Sequence, residues 1–385
     1  MNIAAEVHSH RVAIHEHFAA LRDSEAQLRR EEATSDFYAS WPWFELLACS
    51  GIEPDWRKLL VHVVSPDNHQ LCLPLVRRPR SPVAVFGGAV TALSNYYSSL
   101  FGPIGDNAAL TVSALRAVLR ALAAHGGWPA VIDLQPLDEH GVFVVSMERA
   151  LRAEGYSTDR YLCFGNWHLP VLGRSYAEYE GTLPSRLRNT IKRGRKKLDA
   201  AGDWTLDVHR EPGAELECGI ADWQAIYARS WKVPEPFPEF VPDLCRTAAA
   251  RGWLRLGVIR FQGRPIAAQL WIVKHGRALI YKLAYDEEYK RFSAGSVLSA
   301  ELMRRAIDGD GVVDVDYLTG DDDYKRDWMS TRRQRVGLVA FRTGSLTGEL
   351  SRAKHVLGKL RARWRARKQA LPPRPGPDLS DEGLA

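Results

Sequence analysis

The chain has 385 residues, 45% of them hydrophobic and 25% charged. This is enough apolar material for two ordinary domains, and it excludes a disordered chain, a fibre or a disulfide-stapled miniprotein. The net charge of +6 comes from 52 Lys and Arg against 46 Asp and Glu. Nine basic and four acidic residues lie beyond Thr343, so the body before them is close to neutral and the excess belongs to a tail. Five cysteines (Cys49, Cys72, Cys163, Cys218, Cys245) lie far apart with no CxxC pair, which points to a reducing compartment and away from a zinc ribbon. The beginning has no apolar run of signal-peptide length, and Val83–Leu93 is too short to span a bilayer, so a cytoplasmic protein is expected.

The first 35 residues are polar and rich in His, Glu and Arg, and read as a helix or frayed arm. Their His8-x-His10 and His15-x-His17 pairs lack a Cys or carboxylate at a metal-site spacing, so no metal is assigned. Asp36–Cys49 reads as a helix. Strands follow at Arg57–Val64 and Gln70–Arg77 around the turn Pro66-Asp67-Asn68-His69, and a third at Pro82–Val90 leads into the loop Thr91–Asp106. Then come a helix at Asn107–His125, stopped by Gly126-Gly127, a strand at Ala130–Gln135, a helix at Asp138–Glu154 and a strand at Tyr161–Val171. The second half repeats the order: a helix at Gly213–Ser230, strands at Trp253–Arg260, Pro265–Lys274 and Arg277–Tyr285, a loop, a helix at Gly295–Ile307, a strand at Val312–Leu318, a short helix at Asp322–Ser330 and a strand at Gln334–Arg342. A repeat of elements rather than letters predicts a mixed α/β fold of two similar lobes. The expected division is an arm (1–35), a first lobe (36–172), a second lobe led by a basic helix (173–345), and a basic helix with a Pro-rich end (346–385).

No Walker A sequence, GxGxxG after a strand, HExxH or GxSxG is present, which lowers the case for NTPases, Rossmann dehydrogenases, zinc proteases and α/β-hydrolases. One segment suggests chemistry that leans on the backbone. Where the loop after Tyr285 becomes a helix, the small residues Ser293-Ala294-Gly295-Ser296 offer helix-start amides to a pyrophosphate, with Lys290 and Arg291 beside them. The same glycine also suits a helix that simply starts there.

With that loop in place, the chain resembles the GNAT superfamily of acyltransferases, and within it the tandem-lobed FemAB-like branch that includes CelD-type proteins of cellulose and exopolysaccharide biosynthesis. Four segments carry the resemblance: Arg229-Ser230-Trp231-Lys232; Gly263-Arg264-Pro265-Ile266-Ala267-Ala268; Lys282-Leu283-Ala284-Tyr285-Asp286 with Ser293–Leu298; and Asp316-Tyr317-Leu318-Thr319-Gly320 with Tyr324-Lys325 and Trp328. It implies acetyl-CoA or another acyl-CoA as donor and an amine as acceptor. Arg277–Tyr285 and Val312–Leu318 would be the two splayed strands that admit the donor. Leu283, Ala284 and Tyr285 would meet the pantetheine arm, and Arg291 with Ser293, Ala294, Gly295, Ser296, Val297 and Leu298 the pyrophosphate. Asp316 is a candidate base at the end of the second splayed strand, with Asp314 of the same parity in competition, and Lys325 is either functional or one half of a structural ion pair. Lys232, a third catalytic candidate, precedes a loop of four prolines, Val233–Pro242, that would shape the acceptor pocket with Trp231; a rigid surface excursion with Trp231 in the core is the alternative. The first lobe has no small-residue phosphate loop. Its counterpart is Asn95-Tyr96-Tyr97 with neighbouring serines, expected either to wall the acceptor cleft or to sit in an aromatic core.

Two helices are basic. Arg186, Arg188, Lys192, Arg193, Arg195, Lys196 and Lys197 surround an apolar face of Leu183, Leu187, Ile191 and Leu198, with no acid among them. The tail helix Glu349–Ala370 carries eight Lys or Arg and a Leu350, Leu357, Leu360, Trp364 side, which suits either an anionic membrane surface or packing on the body. No RNA-binding module accompanies them, so nucleic acid is not an expected partner. The expected activity is acyl-CoA-dependent N-acyl transfer to a small-molecule or glycan-precursor acceptor, in the cytoplasm or at the inner membrane face. The alternatives are an aminoacyl-tRNA-dependent Fem-type transferase and a catalytically silent membrane-associated assembly factor.

Overall fold

A computed structural model describes residues 10–32, 36–85 and 88–369. The strands in chain order are β1 (Arg11–His15), β2 (Arg57–Val64), β3 (Gln70–Arg78), β4 (Ala89–Ala92), β5 (Ile104–Gly105), β6 (Val131–Asp138), β7 (Tyr156–Pro170), β8 (Trp204–His209), β9 (Leu254–Phe261), β10 (Arg264–Lys274), β11 (Arg277–Tyr285), β12 (Asp314–Asp316) and β13 (Thr331–Arg342). They form one mixed sheet in the order β1-β2-β3-β4-β6-β13-β7-β12-β11-β10-β9-β8, with β5 beside β3. The repeated order of elements is present, and the fold is the expected mixed α/β one.

The sheet is continuous because the halves exchange their last strands. β13, from the second half, lies beside β6 of the first, and β7, from the first half, lies beside β12 of the second. β7 and β13 also pair with each other from Tyr156↔Arg342 to His168↔Thr331. Fifteen residues of β7 exceed what one lobe's sheet needs, and the surplus reaches the next lobe. The halves also share a core: Trp43 packs on Phe240 at 5.8 Å and Tyr281 at 6.4 Å, and Tyr97 stacks on Phe240 at 4.2 Å between ring centroids.

Several local expectations are corrected. The His-rich opening segment is not a helix over Arg11–His15 but an edge strand in register with β2, followed by a helix at Arg22–Glu32. The alternation of Val12 and Ile14 with polar neighbours is the strand signal that the surrounding charge obscured. His8 and the Pro-rich stretch 372–377 lie outside the described residues, and among the described residues no three His, Cys, Asp or Glu side chains cluster around a metal-sized site. The third strand sits at Ala89–Ala92 rather than Pro82–Val90, because Pro79 and Pro82, before and at the start of that segment, suit a turn. Strand β8 and a helix at Phe240–Ala249, unforeseen from the sequence, flank the first helix of the second half. The loop before that helix is consequently shorter than its four prolines suggested.

Candidate active site

β11 and β12 run parallel and are paired at only three positions, Arg277↔Asp314, Ala278↔Val315 and Leu279↔Asp316. β12 then stops, while β11 continues to Tyr285, so the edge of Ile280–Tyr285 facing β12 has no strand partner. The resulting wedge holds a cavity of about 190 Å³. One wall is Ile280–Leu283 and the other Tyr317–Thr319; Lys232, Tyr324 and Lys325 complete the lining with Tyr96, Tyr97 and Ser99 of the first half.

The strands part because the chain after β12 is clamped to β7, away from β11, with Tyr317 N donating to the Trp167 carbonyl at 2.9 Å and Asn166 bridging to Gly320. The Asp316 carboxylate accepts hydrogen bonds from its own loop at Leu318 N (2.7 Å) and from Asn166 Nδ2 on β7 (2.6 Å), and it pairs with Arg333 on β13. Leu318 takes a positive φ of 56°, and Lys325, from the helix Asp323–Trp328, donates to the carbonyls of Thr319 and Gly320 (3.4 Å for the latter) and pairs with Asp322 at 3.2 Å. Ser99 and Thr319 hydroxyls join at 2.7 Å, tying this loop to the first half.

These contacts correct the expectation for Asp316. It is 3% exposed, does not line the cavity, and has its oxygens occupied by three donors, so it holds the wedge open rather than facing the cleft as a base. Asp314 pairs with His168 at 2.9 Å and Arg277 at 3.1 Å, also outside this cavity. Lys325 does line it. Burial lowers its pKa and Asp322 opposes that shift, while its three acceptors require the protonated form.

Lys232 differs. It is half-buried and lines the cavity, yet among the described residues its Nζ has no hydrogen-bond or carboxylate partner and lies only against the Trp231 ring, 5.3 Å from its centroid. Burial lowers its pKa, and the ammonium of Lys282 lowers it further. Trp231 is 49% exposed and packs on Tyr285 at 4.6 Å; it stands at the outer rim and is not part of the cavity wall or the core.

Lys282 was not foreseen as a site residue. The register shifts between Leu270↔Lys282 and Trp271↔Ile280, leaving Tyr281 as an extra residue in β11. Lys282 then reaches Glu235 of the proline loop at 2.8 Å, and its Nζ lies 4.6 Å from the Tyr96 ring centroid and 5.1 Å from that of Tyr97. The available signal was a lysine inside an otherwise apolar strand. Tyr96 and Tyr97 do wall the cleft, whereas the Asn95 side chain accepts from Tyr97 N at 2.9 Å and donates to the Gly51 carbonyl, so it shapes the turn and does not reach the cavity.

In the first half, the corresponding gap between β4 and β6 is laced shut. These strands pair only at Val90↔Ile132 and Thr91↔Asp133, and beyond them Ser94 Oγ donates to the Gln135 carbonyl (2.5 Å) and Phe101 N to that of Pro136 (2.7 Å).

At the mouth of the second-half wedge, Leu283 lines the cavity and the helix Ala294–Arg304 begins after Ser293, which is in the left-handed region. Gln269 Nε2 donates to Gly295 O at 2.9 Å, fixing this helix start on β10. A Cβ at Gly295 would stand 3.4 Å from the Tyr285 ring, in van der Waals contact, so a longer side chain there would meet that ring. Ala284, Ala294, Val297 and Leu298 are buried, so their side chains serve the core, and only their backbone is suited to a ligand. Arg291 is exposed beside Phe292. The basic helix Ser185–Ala201 crosses this loop at Gly194, where a Cβ would come within 2.5 Å of Phe292 O, and Lys197 donates to Arg291 O at 3.0 Å. Its outer flank, Arg188, Lys192 and Arg195, joins Tyr176 and Arg304 around a groove of about 600 Å³.

Residues 185–326 match the family model of the acetyltransferase (GNAT) domain. No curated protein matches the chain. Among solved structures, the chain is similar to FemX (12% identity, 83% of this chain and 95% of that one, TM-score 0.58). It is also similar to the C-terminal domain of a putative lysylphosphatidylglycerol synthetase from Agrobacterium fabrum (12%, 84% and 93%, TM-score 0.53) and to L-PGS from Bacillus licheniformis (11%, 89% and 96%, TM-score 0.51). At such identities the likeness is one of fold. The family match covers the wedge, its helix start and the cavity lysines Lys232, Lys282 and Lys325, and residues 185–326 are accordingly a GNAT-type acyltransferase domain of a transferase.

Proposed function

We propose that this enzyme transfers an acyl group from an acyl-CoA thioester to an amine, and that it belongs to the FemAB-like, CelD-type branch acting on an envelope, glycan-precursor or small-molecule acceptor. The observation that carries the reading is the unpartnered edge of β11, which runs from the cavity at Leu283 to Tyr285, the residue beside which Gly295 of the helix start lies. An extended pantetheine arm can take the place of the missing strand, with its phosphates toward Ser293–Ser296 and its thioester at the cavity. The acceptor enters past Tyr96, the exposed member of the tyrosine pair that walls the cavity. Its nitrogen attacks the thioester carbonyl, whose oxygen is polarised by a backbone N–H of the free β11 edge. Lys232 in its neutral form takes the proton from nitrogen, collapse breaks the carbon–sulfur bond, and the leaving thiolate takes that proton from the Lys232 ammonium and departs as the CoA thiol. Desolvation and neighbouring ammonium groups are the recognised means of making a lysine basic enough and neutral enough for this. Lys325 and Asp316 support the loop that forms the opposite wall.

Calorimetry with acetyl-CoA, longer acyl-CoAs and free CoA tests the donor. Saturable binding is expected, with no heat from Gly295→Glu, whose side chain would fill the space beside Tyr285 while leaving the thermal transition in place. Absence of binding by every CoA species would overturn the acyl-CoA reading. The second reading, an aminoacyl ester on tRNA, is favoured by the cationic groove along Arg188, Lys192 and Arg195; it predicts retention of aminoacyl-tRNA on a filter, lost in an Arg188→Glu, Lys192→Glu double variant.

A further inference from the structure

The last helix, Leu346–Gln369, is held on the first half by one face. Val85 N donates to Ser351 Oγ at 2.9 Å, Lys354 Nζ donates to the Pro82 carbonyl at 2.7 Å, and His355 and Lys359 both meet Asp159, at 2.7 and 2.6 Å. Its other side presents apolar residues in alternating steps of four and three: Leu346, Leu350, Ala353, Leu357, Leu360 and Trp364. That spacing is a continuous stripe on a helix. Leu346, Leu357, Leu360 and Trp364 are 76%, 53%, 54% and 60% exposed, so the body leaves the stripe uncovered.

What surrounds the stripe selects its occupant. From Glu349 to Gln369 the sequence has eight Lys or Arg and a single acid, Glu349 itself. A second copy of the helix would bring two such cationic borders together, which disfavours a coiled-coil pairing despite the spacing. A surface that is apolar beneath and anionic above matches both features, and tryptophan is at home at such a boundary. No helix among the described residues is long and apolar enough to cross a membrane, so the contact would be one of lying on the surface.

We infer that the Leu346–Gln369 helix docks this enzyme on an anionic lipid surface through its Leu350–Trp364 stripe, while its Ser351, His355 and Lys359 face stays on the body. The docked face fixes the helix to the body, and the wedge therefore keeps a constant orientation toward the bilayer. This inference does not depend on the donor or acceptor.

Flotation of the full chain with phosphatidylcholine vesicles, alone or with about 30% phosphatidylglycerol, tests it. Binding is expected to the anionic vesicles only, to weaken as salt rises, and to fall roughly tenfold or more in a Leu357→Asp, Leu360→Asp double variant. These positions are exposed, so the variant should keep its thermal transition; Trp364→Ser provides a milder second variant with the same direction. Equal binding to neutral vesicles, no binding to either, or unchanged binding of both variants would overturn the inference. So would a dimer in light scattering that the double variant converts to monomer, since a second copy would then be the occupant.

Discussion

Replacing Lys232 by methionine is expected to lower kcat by a factor of about 10²–10³, corresponding to about 3–4 kcal/mol of barrier, while acyl-CoA affinity stays near the wild-type value. The expectation rests on the difference between two lysines that line the cavity. Lys325 is surrounded by two carbonyls and Asp322, which use its protons. Lys232 is in the same cavity with no such partners among the described residues, and burial and Lys282 both favour its neutral form. A base is active when deprotonated, so turnover should rise with pH through the lowered pKa of Lys232 and be lost as pH falls below it. Lys232→Arg separates this role from simple electrostatics. Arginine keeps the charge but does not deprotonate in this range, so a base role predicts that it is as impaired as methionine. Recovery of turnover in Lys232→Arg, or an unchanged acid limb in Lys232→Met, would exclude Lys232 as the proton acceptor.

Arg333→Met should be the most destabilising of the changes considered near the wedge, at about 3–5 kcal/mol in chemical denaturation. The variant leaves the carboxylate of Asp316, 3% exposed, without its cationic partner, and removing one half of a buried pair costs more than the pair contributes. Asp316→Asn should cost less, because Arg333 is more exposed than Asp316 and the amide oxygen can still accept from Leu318 N. In both variants the loss of turnover should track distortion of the Leu318–Gly320 loop and show no new acid limb. A stability change below about 1 kcal/mol for Arg333→Met would mean that the wedge does not depend on this cluster.

The same cluster shows where sequence reading reaches its limit. An aspartate at the end of a short strand has the same local pattern whether it faces a cleft or anchors a turn. Its partners, Asn166 and Arg333, are 150 and 17 residues away and come from the two exchanged strands. Likewise Lys232, Lys282 and Lys325 belong to a loop, a strand and a helix, and no spacing rule connects them. The Tyr281 bulge that directs Lys282 toward Glu235 is a register event between two strands, and one strand's residues do not specify it. Asn95 stands with its tyrosine neighbours by composition, yet its amide is used by Tyr97 N of its own turn and by the Gly51 carbonyl.

By itself the sequence determined the mixed α/β class, the duplicated order of helices and strands, the site of the small-residue helix start and the amphipathic character of the tail helix. Each of these is written in local periodicity, in turn residues or in the distribution of charge, all of which act over a few residues. Only the tertiary structure decided that β7 and β13 exchange lobes, that one wedge is open while the other is laced by Ser94 and Phe101, and which lysine lacks a partner. The strand exchange depends on pairings between residues more than a hundred positions apart, and the lacing joins Ser94 to Gln135 and Phe101 to Pro136; in both, hydrogen-bond satisfaction in a shared sheet, rather than local propensity, selects the arrangement.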